Sequence, residues 1–243
     1  MKFLQVPSLI ILFVSISFLS CDDDNCIKGE GILETRTIAL ASFDKVSLLG
    51  VDHLTIKQGN IQEVKVTGYP NIIDQLNTNI SNKAWEIRLK DGCYNNADMD
   101  IEITIPDLKA ANLTGSGRIQ VEEFTNQENQ LFAISGSGDI EIAGNSGTKE
   151  VLFNITGSGN IVGTNNFTDL ESVKLNISGS GDFDAFSMES LSYEVIISGS
   201  GNANVHPINQ LTGVITGSGN INYLGTPEVN VSITGSGKVN NVN

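Results

Sequence analysis

Residues 155–161 read Ile155-Thr156-Gly157-Ser158-Gly159-Asn160-Ile161. The Gly-Ser-Gly at their centre recurs, beginning at Gly115, Gly136, Gly157, Gly179, Gly199, Gly217 and Gly235, at steps of 21, 21, 22, 20, 18 and 18 residues. The flanks recur with it. An aliphatic residue stands two before each copy (Leu113, Ile134, Ile155, Ile177, Ile197, Ile215, Ile233), then a hydroxyl; a polar residue and an apolar one follow. A repeat near 20 residues is the mark of a solenoid.

Within a repeat the hydrophobic period is two. Val173, Leu175 and Ile177 alternate with Lys174 and Asn176, and Val229, Val231 and Ile233 with Asn230 and Ser232. That alternation describes strands with one buried face, and no helical spacing interrupts it. The expected fold is therefore all-β, a parallel β-helix with about 18–22 residues per coil. Coils stacked at about 4.8 Å make seven repeats roughly 34 Å long. The glycines admit two roles. They share the parity of the buried aliphatics, so they can mark places where the wall is too close for a side chain, or they can supply the positive φ of a corner. Both put the intervening serines, Ser116, Ser137, Ser158, Ser180, Ser200, Ser218 and Ser236, outside in a polar stripe, the candidate binding surface.

Residues 28–110 alternate like strands but lack the tripeptide: Val46 and Leu48, Leu54 and Ile56, Val64 and Val66, Trp85, Ile87 and Leu89, then Ile101, Ile103 and Ile105. A short helical turn fits within 71–81. This half reads as irregular coils that begin the solenoid and cover its first edge, which would otherwise be an unpaired strand. Residues 111–243 form the regular coils of the same domain.

Composition supports this. In 243 residues there are 25 Gly but 5 Pro, 40% of the chain is hydrophobic and the formal net charge is −14, so it is neither collagen-like nor a disordered linker. The negative balance excludes nucleic acid as a partner, since binding it needs cations to displace phosphate counterions.

At the N-terminus, Lys2 precedes an apolar run from Val6 to Leu19. It is shorter than the roughly 20 residues of a membrane span and fits a secretory signal. The run ends in Phe18-Leu19-Ser20-Cys21, which resembles a bacterial lipobox. The resemblance implies that 1–20 is a lipoprotein signal peptide, that Cys21 is lipidated, and that acyl chains attach the protein to a membrane. Residues 21–27 form an acidic tether, and Asp22, Asp23 and Asp24 resemble a surface-export signal. The expected location is the cell envelope, as an outer-membrane lipoprotein with access to the cell surface. In that oxidising compartment Cys26 and Cys93 can form a disulfide; two isolated cysteines are too few for a structural metal site.

The segments Phe43 to Val46, Val51 to Gly59 and Ile80 to Leu89, followed by the serial Gly-Ser-Gly coils, resemble the head GIN domain family, a group of envelope lipoproteins named for an adhesin head. The resemblance spans about 27–243. It implies a right-handed parallel β-helix outside the cytoplasm and brings no functional residues with it.

The sequence contains no catalytic, cofactor or metal motif. His53 and His206 stand alone and read as surface or loop residues. Gly-Ser-Gly lacks the Lys-Ser/Thr ending of a phosphate loop. Asp139, Asp182 and Asp184 occupy equivalent positions on different coils, with about 10 Å between Asp139 and Asp182, near the upper limit for an inverting glycosidase pair. Asn160 intervenes, however, and no Arg or Lys stands nearby. The Asn/Asp column suits a hydrogen-bonded ladder better than calcium, which needs six to eight converging oxygens. Trp85 and Tyr193 fit the core. The leading reading is a binding or adhesion module for a glycan or an envelope or host surface protein. The alternatives are a polysaccharide-processing enzyme and a structural scaffold stacking end to end.

Overall fold

The computed structural model describes residues 26–165 and 167–243; the signal peptide, Cys21 and the three following aspartates lie outside them. Over the described residues the chain is a β-solenoid, all-β apart from one helical turn, Pro70–Ile73. Each regular coil runs up one strand, turns at Gly-Ser-Gly and continues along a second. The first ladder stacks Ala110–Gly115, Gln130–Gly136, Glu150–Gly157 and Ser172–Gly179 in parallel. The C-terminal parts of Phe183–Gly199 and Ala203–Gly217 follow, then Glu228–Gly235. The second stacks Arg118–Val121, Asp139–Ile142 and Asn160–Gly163, and ends with Asn220–Tyr223 on Lys238–Asn241. A third, of two-residue strands, joins Phe124–Thr125, Asn145–Ser146 and Phe167–Thr168.

Alternation explains the burial. Val173, Leu175 and Ile177 point inward and are buried, as are their partners Tyr193, Val195 and Ile197 one coil on. Phe132, Phe153 and Phe183 stack through the middle, with ring centroids 5.6 and 4.8 Å apart. At the third corner, polar groups are buried but paired: Gln130 Nε2 donates to the Leu108 carbonyl (3.0 Å), and Thr148 Oγ1 to Asn145 Oδ1 (3.0 Å).

Of the two roles open to the glycines, the first of each tripeptide fills both, since a Cβ on Gly179 would also run into the Gly157 carbonyl oxygen, while the second fills the steric one alone. The first of each tripeptide has positive φ, 132° at Gly179. The second lies against the wall: a Cβ on Gly181 would come 2.7 Å from Ile155 Cγ2 and closer still to the Gly159 carbonyl. The approach also serves hydrogen bonding, because the Gly157 carbonyl accepts from both Ser180 N–H (2.8 Å) and Gly181 N–H (3.1 Å).

The N-terminal half does not stack in chain order. Lys45–Gly50 pairs with Ala110–Gly115 on one side and with Ala84–Ile87 on the other; His53–Gln58 likewise lies between Arg118–Val121 and Asp100–Ile105. The coil of 45–58 is thus a degenerate copy of the repeat. Gly50-Val51-Asp52-His53 stands where other coils carry Gly-Ser-Gly and a polar residue, and Gly50 has the same positive φ, 135°. The coil of 84–105 lies outside it. Glu63–Gly68 pairs antiparallel to Asp100–Ile105, and Glu34–Thr37 to Glu63–Gly68, covering the edge. Ile27–Lys28 pairs with Tyr94–Asn95, and a Cys26–Cys93 disulfide joins the same segments (Cα–Cα 4.5 Å). At the other end Glu228–Gly235 is paired on one side, and Val229 and Ile233 are partly exposed.

Two stability measurements check this account. Gly181→Ala should cost about 3 kcal/mol through overpacking, while Ser180→Ala, at an exposed position, should change stability by less than about 0.5 kcal/mol; urea unfolding reads both. Cys93→Ser should cost about 4 kcal/mol, from release of a loop closed over a sequence separation of 67.

Candidate functional site

All seven serines of the stripe are exposed, as are the hydroxyl residues before each tripeptide. Beside the stripe, on the outer face of the second ladder, the polar residues form hydrogen-bonded columns. Asp139 Oδ1 accepts from Asn160 N–H (3.2 Å) and Asn160 Nδ2 (3.0 Å), and Asn160 Oδ1 accepts from Asp182 N–H (3.1 Å). Asp182 Oδ1 in turn accepts from Asn202 N–H (2.7 Å) and Nδ2 (3.0 Å), and Asn202 Oδ1 accepts from Asn220 in the same way. Each side-chain oxygen thus caps the backbone of the next coil. A shorter column runs through Asn204, Asn222 and Asn240, with Nδ2 to Oδ1 distances of 2.9 and 3.0 Å between coils.

Two expectations about the carboxylates change. Asp184 is not equivalent to Asp139 and Asp182. It lies in the neighbouring column, in register with Val162 and Glu141, because it is two residues further along the strand. A cation does stand nearby: Arg118 occupies the same column one coil before Asp139, with Nη2 3.7 Å from Asp139 Oδ2. Arg118, Asp139, Glu141, Asn160, Thr164, Asp182 and Asp184 line a shallow groove of about 470 Å³. Its lining is mixed, carboxylates and an amide beside the Arg118 guanidinium, with Ile140, Ile161 and Val162 contributing apolar surface. Among the described residues no group of three or more His, Cys, Asp or Glu is placed to hold a metal ion.

The histidines stay apart. His53 is exposed, 3.5 Å from Asp100. His206 lies within the strand Ala203–Gly217 and not in a loop, with Nδ1 3.1 Å from the Phe186 carbonyl. Trp85 is buried and donates from Nε1 to the Asn77 carbonyl (2.8 Å). Tyr193 is buried too, with its hydroxyl on the Met188 carbonyl (2.5 Å), and burial pushes that hydroxyl far above its ordinary range.

Asp52 is a buried carboxylate with no intact motif around it in the sequence. It takes the second-glycine place of the degenerate corner, where only 8% of its surface is exposed. Its Oδ1 accepts from Met99 N–H at 2.8 Å. Burial pushes its carboxyl up to about 6, helped by Asp98 and Asp100, while the Met99 N–H and His53 work in the other direction. Two clefts meet at this side chain, one of about 560 Å³ beneath the 88–98 loop and one of about 480 Å³ toward Tyr69 and Asp100. The signal was present in the sequence: Leu48, two before Gly50, and His53 in the polar place set the frame of the repeat.

The chain is thus a disulfide-stapled parallel β-solenoid with an outer face of hydroxyls, amides and carboxylates. The chain belongs to the family described as "putative auto-transporter adhesin, head GIN domain", which matches residues 42–227. Among solved structures, a putative lipid binding protein from Parabacteroides distasonis is 25% identical, with TM-score 0.73; the alignment covers 90% of this chain and 100% of that one. A putative adhesin from Bacteroides fragilis is 21% identical over 89% of this chain and 100% of its own, with TM-score 0.78. One from Parabacteroides merdae is 22% identical over 90% and 100%, with TM-score 0.70. A search of curated proteins returns no match.

Asp52 has a measurable signature. Its carboxyl is raised from 3.8 to about 6 in the fold, so the folded state holds the proton more tightly than the unfolded one. Its contribution to stability is therefore full below pH 4 and is lost as pH rises through 6. Asp52→Asn should remove that slope and raise stability at pH 7.5 by about 2 kcal/mol, read as a higher Tm across a pH series.

Proposed function

We propose that the protein is a lipid-anchored module of the cell envelope that binds a glycan or protein surface, an adhesin-like role. Membership of the head GIN family supports the general role. The observation that carries it is the outer face, where serines and Asn/Asp columns repeat at one coil per step. Many weak hydrogen bonds along such a face, multiplied over anchored copies, give avidity without a deep pocket. The position of the first described residues fits an anchor at Cys21. Ile27 pairs with Tyr94 at the covered end of the solenoid, so a lipid there directs the regular coils away from the membrane.

The polysaccharide-processing reading is weaker. Oδ1 of Asp139 and Oδ1 of Asp182 each accept from the asparagine of the next coil, so both carboxylates serve the ladder as acceptors. A role in contacting lipid, which the name of the Parabacteroides distasonis protein raises, gains no support from the clefts described above, which are open and lined in part by charged side chains.

The test begins with location. Cells expressing the chain should incorporate labelled palmitate into it, Cys21→Ser should abolish the labelling, and protease added to intact cells should degrade the wild-type protein. Purified chain should then bind glycan- or protein-coated surfaces above a charge-matched control. Resistance to external protease would overturn adhesion in favour of a periplasmic role.

A further inference from the structure

We propose that the cleft over Asp52, between the Gly50–His53 corner and the 88–98 loop, binds a neutral saccharide whose hydroxyls donate to Asp52. This rests on the surface-binding reading above and gives it a site and a ligand class.

The argument starts from the repeat. At seven corners the second glycine abuts the carbonyl of the coil before it, and a side chain there has no room. At Asp52 the coil beyond has no such corner. Between Ile87 and Asp100 the chain leaves the stack as a loop, and the Asp52 side chain enters the space. Capping Met99 N–H does not require a carboxylate, since an asparagine oxygen would accept the same bond. A carboxylate there is buried at a cost in stability, and groups kept against such a cost are concentrated at functional sites. Oδ1 is occupied by Met99; Oδ2 makes no hydrogen bond among the described residues.

The walls select the ligand. Asn95, Asn96 and Tyr94 line the cleft. Of its two cations, Arg88 is paired with Glu86 and Asp91, while exposed Lys90 keeps its charge, with Nζ 3.0 Å from the neutral Asp74 carbonyl. Asp91 and Asp98 add negative charge. With Asp52, Asp91 and Asp98 set against Arg88 and Lys90, and Arg88 paired also with Glu86, the lining is net negative, which disfavours anionic sugars and suits hydroxyl donors. The volume, about 560 Å³, lies within the usual range for small-ligand sites. The Cys26–Cys93 disulfide, the Ile27–Tyr94 pairing and the Tyr94 hydroxyl on the Lys90 carbonyl (2.9 Å) hold the loop, so little ordering is required on binding.

The experiment probes the full chain on an array of neutral, amino and sialylated oligosaccharides. Three variants accompany it: Asp52→Asn, Asp139→Asn, and Glu63→Gln on the covering strand. Wild type and Glu63→Gln should bind neutral members, and Asp52→Asn should lose at least tenfold while its Tm at pH 7.5 shows that it folds. Affinity for the neutral hit should fall between pH 7 and pH 5 as Asp52 takes up its proton. His53, Asp98 and Asp100 face the same carboxyl, and Arg88, Lys90, Asp91 and Tyr94 surround the cleft. Absence of the pH effect in Asp52→Asn therefore assigns it to Asp52. Equal binding by Asp52→Asn, or hits confined to amino or sialylated members, would overturn the proposal. Loss in Asp139→Asn alone would move binding to the polar columns. No glycan bound, with binding to a protein-coated surface intact, would remove this site and leave the wider reading standing.

Discussion

Everything in this molecule depends on how closely one coil can lie on the next at the Gly-Ser-Gly corner. The Gly157 carbonyl receives two N–H groups from the following coil because neither Gly179 nor Gly181 carries a Cβ. That contact sets the register of both ladders, and with it the alignment of every aliphatic along the axis. It also leaves the serine between the glycines no inward option. Core, corner and outer stripe follow from one steric condition repeated seven times.

Where the condition is relaxed, the structure changes character. After Asp184 the pairing of Phe183–Gly199 with Ala203–Gly217 shifts register, and the coils shorten while the corner persists. At the covered end, absence of a glycine corner in the outermost coil admits Asp52, the loop of 88–98 and the clefts around them. The regular coils present a repeated polar surface; the irregular end presents two clefts that meet at Asp52. A surface protein can use both, the first for avidity and the second for selectivity.

The coil architecture was legible because its cause is local: Gly at fixed places, alternating aliphatics, and a constant period. Burial of Trp85 and Tyr193 followed from parity alone. The stacking order of the first half was not legible, since Lys45–Gly50 contacts Ala110–Gly115 across more than fifty intervening residues and no single-sequence pattern encodes which strand it prefers. The equivalence assigned to Asp184 failed through a two-residue offset that keeps parity and so leaves no trace in the hydrophobic pattern. Arg118 holds the polar place of its own repeat one coil before Asp139, so the frame that aligned the aspartates also brings a cation beside them. Asp52 carries no local mark because its corner lacks the intact tripeptide; only the frame set by Leu48, Gly50 and His53 locates it.

The asymmetry between the two ends has a mechanical consequence. One end is stapled by a disulfide and overlaid by antiparallel strands; at the other, Glu228–Gly235 is held by a neighbour on one side alone. Tension applied at that far end while the stapled end is held would peel the solenoid a coil at a time. Each coil would release roughly 60–80 Å of chain before the next yields. Force would be dissipated in small increments, and the covered end would be the last to open.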